Sequence, residues 1–303
     1  MKLILGSHVS MSKKNHYFLG AVEEMLSYDA NTLMIYTGPP QNTKRVDIKT
    51  MEVETGTKKA QEHQIDISNF VIHAPYIINL ATYKEEARKF AIDFLIEEIK
   101  RAAFIGINKV VLHPGSFIGQ TLISGLNHLI DSLNQVLAKT EHLNVYLCLE
   151  TMAGKGNEIG RTFEELAAII KGCNHHQLLG ICFDTCHVHD AGYNLKEKAQ
   201  LIEKFDRILG LDRLKVLHIN DSKNLIGSHK DRHENIGYGM IGFETLLDWI
   251  YEPKFAHLPK ILETPYINIP SSNNKKEFIS IAPYKDEIEL IRNRKWIKKY
   301  PEK

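Results

Sequence analysis

Cysteine is scarce in this sequence: four residues, Cys148, Cys173, Cys182 and Cys186, in a chain of 303. A chain this long needs no disulfide staples, and the C-x3-C of Cys182 and Cys186 suits neither a zinc knuckle nor a redox pair. The four are read as reduced, largely buried thiols. No apolar run reaches the roughly eighteen residues of a membrane helix, which argues against a membrane partner. Charge of one sign is missing as well. The formal net charge is +1, which excludes a broadly basic surface and leaves room only for a local basic patch. The opening MKLILGSHVS lacks the apolar segment and small-residue cleavage site of a secretory signal, so a cytoplasmic location is expected. Nor does any G-x-G-x-x-G directly follow a predicted strand to support the alternative of an open, doubly wound sheet.

What is present is alternation. Short runs rich in Ile, Leu and Val, without clean polar alternation, read as parallel strands covered on both faces. They are Lys2–Gly6, Thr32–Tyr36, Asp66–Ile72, Lys109–Leu112, Asn144–Leu149, Leu179–Phe183, Arg213–Ile219 and Pro259–Leu262. Amphipathic stretches lie between them: Tyr17–Ser27, Glu85–Phe104 (with Phe90, Phe94, Leu95 and Ile99 on one face), Thr121–Lys139, Phe163–Lys171 behind the N-cap Thr162, Leu195–Leu209, Phe243–Tyr251 and Lys285–Lys298. Repeated right-handed βα units of this number predict a closed (β/α)8 barrel, a TIM barrel of the α/β class, as one domain over residues 1–303. The polar run 271–276 reads as a surface loop and residues 292–303 as a basic tail.

The chain is also rich in histidine, with fifteen. One His or carboxylate stands at the end of each of six successive predicted strands: His73, His113, Glu150, Asp184, His218 and Glu263. In a barrel these positions ring one mouth, the C-terminal face on which active sites are built. A single histidine is more often a core or surface residue than a ligand, but unrelated structural needs would not place six such groups in series. So many converging side chains would repel or desolvate one another badly, and a cluster of divalent cations is the economical compensation. His187 follows Asp184 by three residues, and Asp231 and His233 occupy the loop after the seventh strand, where an extended chain points both to one side. Nine nitrogen and oxygen donors are too many for one tetrahedral ion and enough for three with a bridging carboxylate.

GICFDTCHVHDAGYNL (180–195) and HINDSKNLIGSHKDRHENIGYGMIGF (218–243) resemble the signature motifs of the endonuclease IV family, zinc-dependent nucleases of abasic sites. HAPYIINLA (73–81), LHPGS (112–116), LETMAGKG (149–156) and ILETP (261–265) resemble its remaining blocks, in order and over nearly the whole chain. The resemblance implies a barrel of the xylose isomerase-like superfamily with three Zn2+ per chain, Mn2+ being an alternative at one position. His73 and His113 would hold the first ion, and Asp184, His218 and Glu263 the second. Glu150 would bridge them and orient the attacking water as the catalytic residue, and His187, Asp231 and His233 would hold the third. It further implies incision of double-stranded DNA on the 5′ side of an abasic sugar, leaving a 3′-hydroxyl and a 5′-deoxyribose phosphate, and trimming of blocked 3′ ends by a monomer.

Lesion recognition falls in this resemblance to Tyr76 and Ile77, placed to wedge into the base stack. In the loop 37–45, where many relatives carry an arginine wedge, this sequence has Gln41 and Asn42, with Lys44 and Arg45 just beyond. Lys155, Lys223, Lys230 and Arg232 are further candidates for backbone contacts, as are Ser10, Ser116, Asn220 and Ser222 for phosphate or ligand bonds. His8 is read as positioning a ligand or phosphate, and His175, His176 and His189 as structural or surface residues. The competing enzyme class is a metal-dependent sugar isomerase or epimerase of the xylose isomerase type. It would use Glu150, Asp184, His218 and Glu263 and leave the other five donors unexplained. A lesion-binding protein without catalysis has no use for open ligand positions.

Overall fold

A computed structural model describes residues 3–270 and 278–300. Strands β1 (Leu5–His8), β2 (Thr32–Ile35), β3 (Val71–His73), β4 (Lys109–Leu112), β5 (Tyr146–Glu150), β6 (Leu179–Asp184) and β7 (Leu214–His218) are joined by β10 (Lys260–Leu262). All neighbours run parallel, and β1 pairs with both β2 and β10, which closes an eight-stranded barrel. Helices α1 (Tyr17–Ser27), α2 (Val53–Glu62), α3 (Glu85–Ile105), α4 (Leu122–Thr140), α5 (Phe163–Gly172), α7 (Lys198–Leu209), α8 (Phe243–Ile250) and α9 (Tyr284–Asn293) follow the strands, and the short α6 (Thr185–Asp190) sits directly on the end of β6. Two hairpins decorate the rim, β8 (Asp221–Ser222) with β9 (His233–Glu234) and β11 (Ile267–Pro270) with β12 (Phe278–Ile281).

The barrel interior explains the mouth. Its apolar layer consists of Met34, Val71, Val111, Cys148, Cys182, Val216 and Ile261, so two of the four buried cysteines line the barrel interior. Side chains alternate along a strand, so the residue two further on points to the same axis. Two residues after each member stand Tyr36, His73, His113, Glu150, Asp184, His218 and Glu263. The polar ring is thus the next layer above a packed apolar one.

Several sequence expectations shift. The stretch 66–70 is not strand: Asp66 accepts a hydrogen bond from the Ser68 amide and closes a 3-10 turn over Ile67–Asn69, leaving only Val71–His73 in the sheet. Lys2 lies outside the described residues, and β1 starts at Leu5. Helix α2 was not expected from the sequence, because its buried face consists of Gly56 and Ala60 packed on α1, not of large apolar residues. On α3, Phe90 lies 53% exposed beside Phe94, outside the buried stripe. The last helix stops at Asn293, where Arg294 turns left-handed with φ 50, instead of reaching Lys298. The chain beyond it packs back on the rim: the Tyr238 hydroxyl accepts the Lys299 and Tyr300 amides, and Trp296 lies edge-on to Tyr238. The predicted loop 271–276 lies outside the described residues.

Gly6 faces Thr32 across the β1–β2 seam, and a Cβ there would overlap the Thr32 carbonyl oxygen, which the ladder holds in place. Gly6→Ala is expected to cost at least about 3 kcal/mol of stability, as backbone overlap inside a closed sheet does. Urea unfolding checks this; a midpoint within experimental error of the parent would contradict it.

Candidate metal centre

Glu150 ends β5 at the centre of the ring, fully buried. Its Oε2 lies 3.2 Å from the Nε2 atoms of both His73 and His113. Its Oε1 lies 3.0 Å from His218 Nδ1 and 3.3 Å from His187 Nδ1. His218 Nδ1 is also 2.9 Å from Glu263 Oε2 and 3.9 Å from Asp184 Oδ2. On the other side, His187 Nε2 lies 3.0 Å and His233 Nε2 3.6 Å from Asp231 Oδ1. The nine donors therefore gather as three sets, His73–His113–Glu150, Glu150–Asp184–His218–Glu263 and His187–Asp231–His233, each with donor atoms within 4.8 Å of one another. His113, Asp231, His233 and Glu263 are partly exposed and mark the opening; the other five are buried.

The local backbone fixes which nitrogens face inward. His73 Nδ1 donates to the Ala74 carbonyl at 2.6 Å, His187 Nδ1 to Thr151 at 2.9 Å and His233 Nδ1 to Glu263 at 3.2 Å. A carbonyl can only accept, so in each neutral ring the Nε2 lone pair is left for the cluster. His233 Nε2 is buried with no hydrogen-bond partner. Asp184 is held from three sides: the Asn220 amide donates to its Oδ2 at 2.7 Å, its Oδ1 caps α6 by accepting the His187 amide, and the Thr151 hydroxyl accepts its own amide.

This donor set fits divalent ions. Zn–N and Zn–O bonds of about 2.0–2.1 Å at tetrahedral angles place ligand atoms about 3.3 Å apart, the spacing seen here between unlike donors. Cys182 and Cys186 also lie within reach of carboxylate and imidazole donors, but burial pushes both thiols above their ordinary range and keeps them protonated. Without ions, the cluster compensates its own charge. Burial alone would raise the Glu150 carboxyl, yet His218 and His113 outweigh it and hold Glu150 well below the carboxylate range. Burial opposes charge on His187 and His218 too, but Asp184 and Asp231 around the first, and Glu263 and Glu150 around the second, lift both imidazoles well above theirs. Asp231 falls to about 2, its burial outweighed by His187. Asp184 goes the other way, because its burial exceeds what His187 and His233 return.

The remaining candidates separate. His8 and Tyr36 complete the ring beside His73, with Tyr36 between the two at 5.3 Å and 5.2 Å, and His8 joins no donor set. Tyr76 and Ile77 project from the loop after β3, 50% and 42% exposed, while Ile78 is buried and Asn79 bonds the loop to Ser116. Gln41 and Lys44 line a cavity of about 490 Å3 with His8 and Tyr36. Asn42 is exposed and caps its own turn by accepting the Lys44 amide. Lys230 and Arg232 are exposed. Arg45 is withdrawn: its Nε donates to Glu98 at 2.7 Å and its guanidinium lies over Phe94. Asp231 is not extended but left-handed, with φ 51, so alternation does not bring it beside His233. The sequence reading gave no role to Asp190 or Tyr36. Tyr36 was detectable from its place two residues after an inward apolar residue.

A family model described as a xylose isomerase-like TIM barrel matches residues 22–294. A probable endonuclease 4 of Acholeplasma laidlawii is 50% identical over 293 residues, 96% of each chain. Another, of Geobacillus sp., is 52% identical over 292 residues, 96% of this chain and 94% of its own. The chain belongs to the endonuclease IV family. The crystal structure of endonuclease IV from Thermus thermophilus superposes with a TM-score of 0.73 at 26% identity, over 95% of this chain and 97% of that one. A D-tagatose 3-epimerase-like structure reaches 0.68 at 21% identity, which speaks for the barrel alone. As a member of the endonuclease IV family, the chain is an enzyme with its donors on the catalytic face of that barrel.

Stability of this endonuclease without metal should depend on pH through the same pairs. His187 and His218 have raised folded values, so their contribution is complete below the unfolded value of 6.5 and is lost as pH rises toward the folded ones. The metal-free melting temperature is expected to fall as pH rises from about 6.5 into the alkaline range, and loading with divalent metal ions to remove most of that fall. A metal-free protein with a flat profile over this interval would contradict the charge balance described.

Proposed function

We propose that this enzyme is a DNA repair nuclease that hydrolyses the phosphodiester bond 5′ of abasic sites, leaving a 3′-hydroxyl and a 5′-deoxyribose phosphate, and that it also removes 3′ blocking groups. The observation that carries the reading is Glu150, whose Oε2 faces His73 and His113 while its Oε1 faces His218, as a carboxylate shared between the first two sets would. Three zinc ions would be held by His73 and His113, by Asp184, His218 and Glu263, and by His187, Asp231 and His233, with Glu150 shared by the first two. Mn2+ is a second fit at one position. Such ions, when bound, polarise a phosphoryl oxygen and make water acidic near neutral pH. The chain's four carboxylates then offset only part of the cationic charge and leave the mouth attractive to a phosphodiester. Glu150 orients the attacking water, Lys230 and Arg232 face the DNA backbone, and Tyr76 and Ile77 enter the space left by the missing base, with Gln41 and Asn42 at the second loop. The enzyme acts as a monomer in the cytoplasm. No helix among the described residues is long and apolar enough to cross a membrane.

The deciding substrate is a duplex with one tetrahydrofuran abasic analogue, which resists β-elimination. Incision leaving a 3′-hydroxyl is expected from zinc-loaded protein. Glu150→Gln should lose far more than the roughly 10–100-fold typical of groups that only support a ligand. Absence of incision would overturn this reading, and one to two zinc per chain with sugar epimerisation would replace it with the isomerase one.

Tyr76→Ala with Ile77→Ala touches no donor, so zinc content should stay constant. Losing a wedge that offsets a few kcal/mol of unstacking should weaken binding to an internal abasic site roughly tenfold or more. Removal of a 3′ blocking group, at a frayed end, should suffer less at the same salt. Equal losses on both substrates would show that the pair supports the site and does not read the lesion.

A further inference from the structure

The third donor set differs from the other two in how it is built. His73, Glu150, Asp184 and His218 end barrel strands, and His113 and Glu263 follow theirs by one residue. His187 stands in α6, Asp231 lies in the excursion between β8 and β9, and His233 opens the two-residue β9 that ends it. Asp231 must also hold a left-handed backbone, φ 51, in a residue with a Cβ, which costs of order 1 kcal/mol and persists only where its surroundings impose it.

The imposing group is Asp190, the last residue of α6 and fully buried. Its Oδ2 accepts the Asp231 amide at 2.9 Å and the Asn224 side-chain amide at 3.1 Å. Its Oδ1 accepts the Ser222 hydroxyl at 2.6 Å, and its carbonyl accepts the His229 amide at 2.9 Å. Next to it, the His189 carbonyl accepts the Gly227 amide and His189 Nε2 donates to the Asn224 carbonyl. Both ends of the excursion and its middle are thus tied to the end of the helix that carries His187. A carboxylate so deep is tolerated because its oxygens meet three donors. It touches no imidazole of the cluster, so its place is explained by the loop it holds.

We propose that Asp190 is a positioning residue for the third metal position: by holding the Asp231 amide from the end of α6, it fixes Asp231 against His187 and sets the affinity of that position alone. This rests on the three-ion reading above.

The test is zinc stoichiometry by elemental analysis of parent, Asp190→Ala and Asp190→Asn chains equilibrated against a graded zinc buffer. The parent should hold three. Asp190→Ala should keep two at parental affinity and bind the third roughly 10–100-fold more weakly, as loss of supporting groups does. Asp190→Asn should recover most of it, since its carbonyl oxygen can stay on the Asp231 and Asn224 N–H groups while its amide turns to the Ser222 oxygen. If melting shows the alanine chain unfolded, Asp190→Leu keeps the branching at Cγ without an acceptor and makes the same comparison. Three zinc at parental affinity in the variant lacking the carboxylate, or weakening of all three positions together, would overturn the proposal. A parent that binds fewer than three would overturn the three-ion reading and this inference with it.

Discussion

Everything at the mouth of this barrel depends on the cost of burying Glu150 and Asp184. Both are fully enclosed, and an uncompensated carboxylate in such a place costs several kcal/mol even after relaxation. The structure answers with imidazoles whose orientation is settled by backbone carbonyls, at Ala74, Thr151 and Glu263. The arrangement is poised between two ways of balancing charge, protons on His187 and His218 or cations between the donors. The first holds the fold; only the second leaves electrophilic centres facing the partly exposed His113, Asp231, His233 and Glu263 at the opening.

The ring was legible in the sequence because strand alternation is a rigid rule. Val71, Val111, Cys148, Cys182, Val216 and Ile261 face the axis, and the residue two positions later must face it too. The same rule, applied to the excursion after β7, pointed Asp231 and His233 to one side for a reason that does not hold there. Asp231 is left-handed, and what brings it to His187 is Asp190, a contact over 41 residues that no local pattern carries. Helix α2 escaped because small residues, Gly56 and Ala60, form its buried face, and periodicity reads large apolar side chains best. Lys285–Lys298 ran too long because its apolar spacing continues through Trp296 and Ile297, although Arg294 has already turned the chain. The hairpin of β11 and β12 pairs across a stretch whose polar composition reads only as loop.

The barrel by itself does not decide the chemistry. Epimerase-like structures share it over nearly the whole chain, and a set such as Glu150, Asp184, His218 and Glu263 at strand ends would serve either reaction class. What separates this chain from a sugar isomerase design is the pair of histidines on β3 and after β4 and, more sharply, the third set.

That third set is also where support is thinnest. Six donors sit on or beside strands whose amides and carbonyls are bound into a closed ladder, so displacing one means opening the barrel. His187, Asp231 and His233 depend on a six-residue helix and an excursion joined to it by side chains. Local opening free energy follows such differences, with loop-borne groups at the low end. The strand-borne donors are therefore the more firmly placed, and the loop-borne ones the readier to shift. The bonds from α6 tie those donors to one another, since His187 and the anchor of Asp231 lie on one helix.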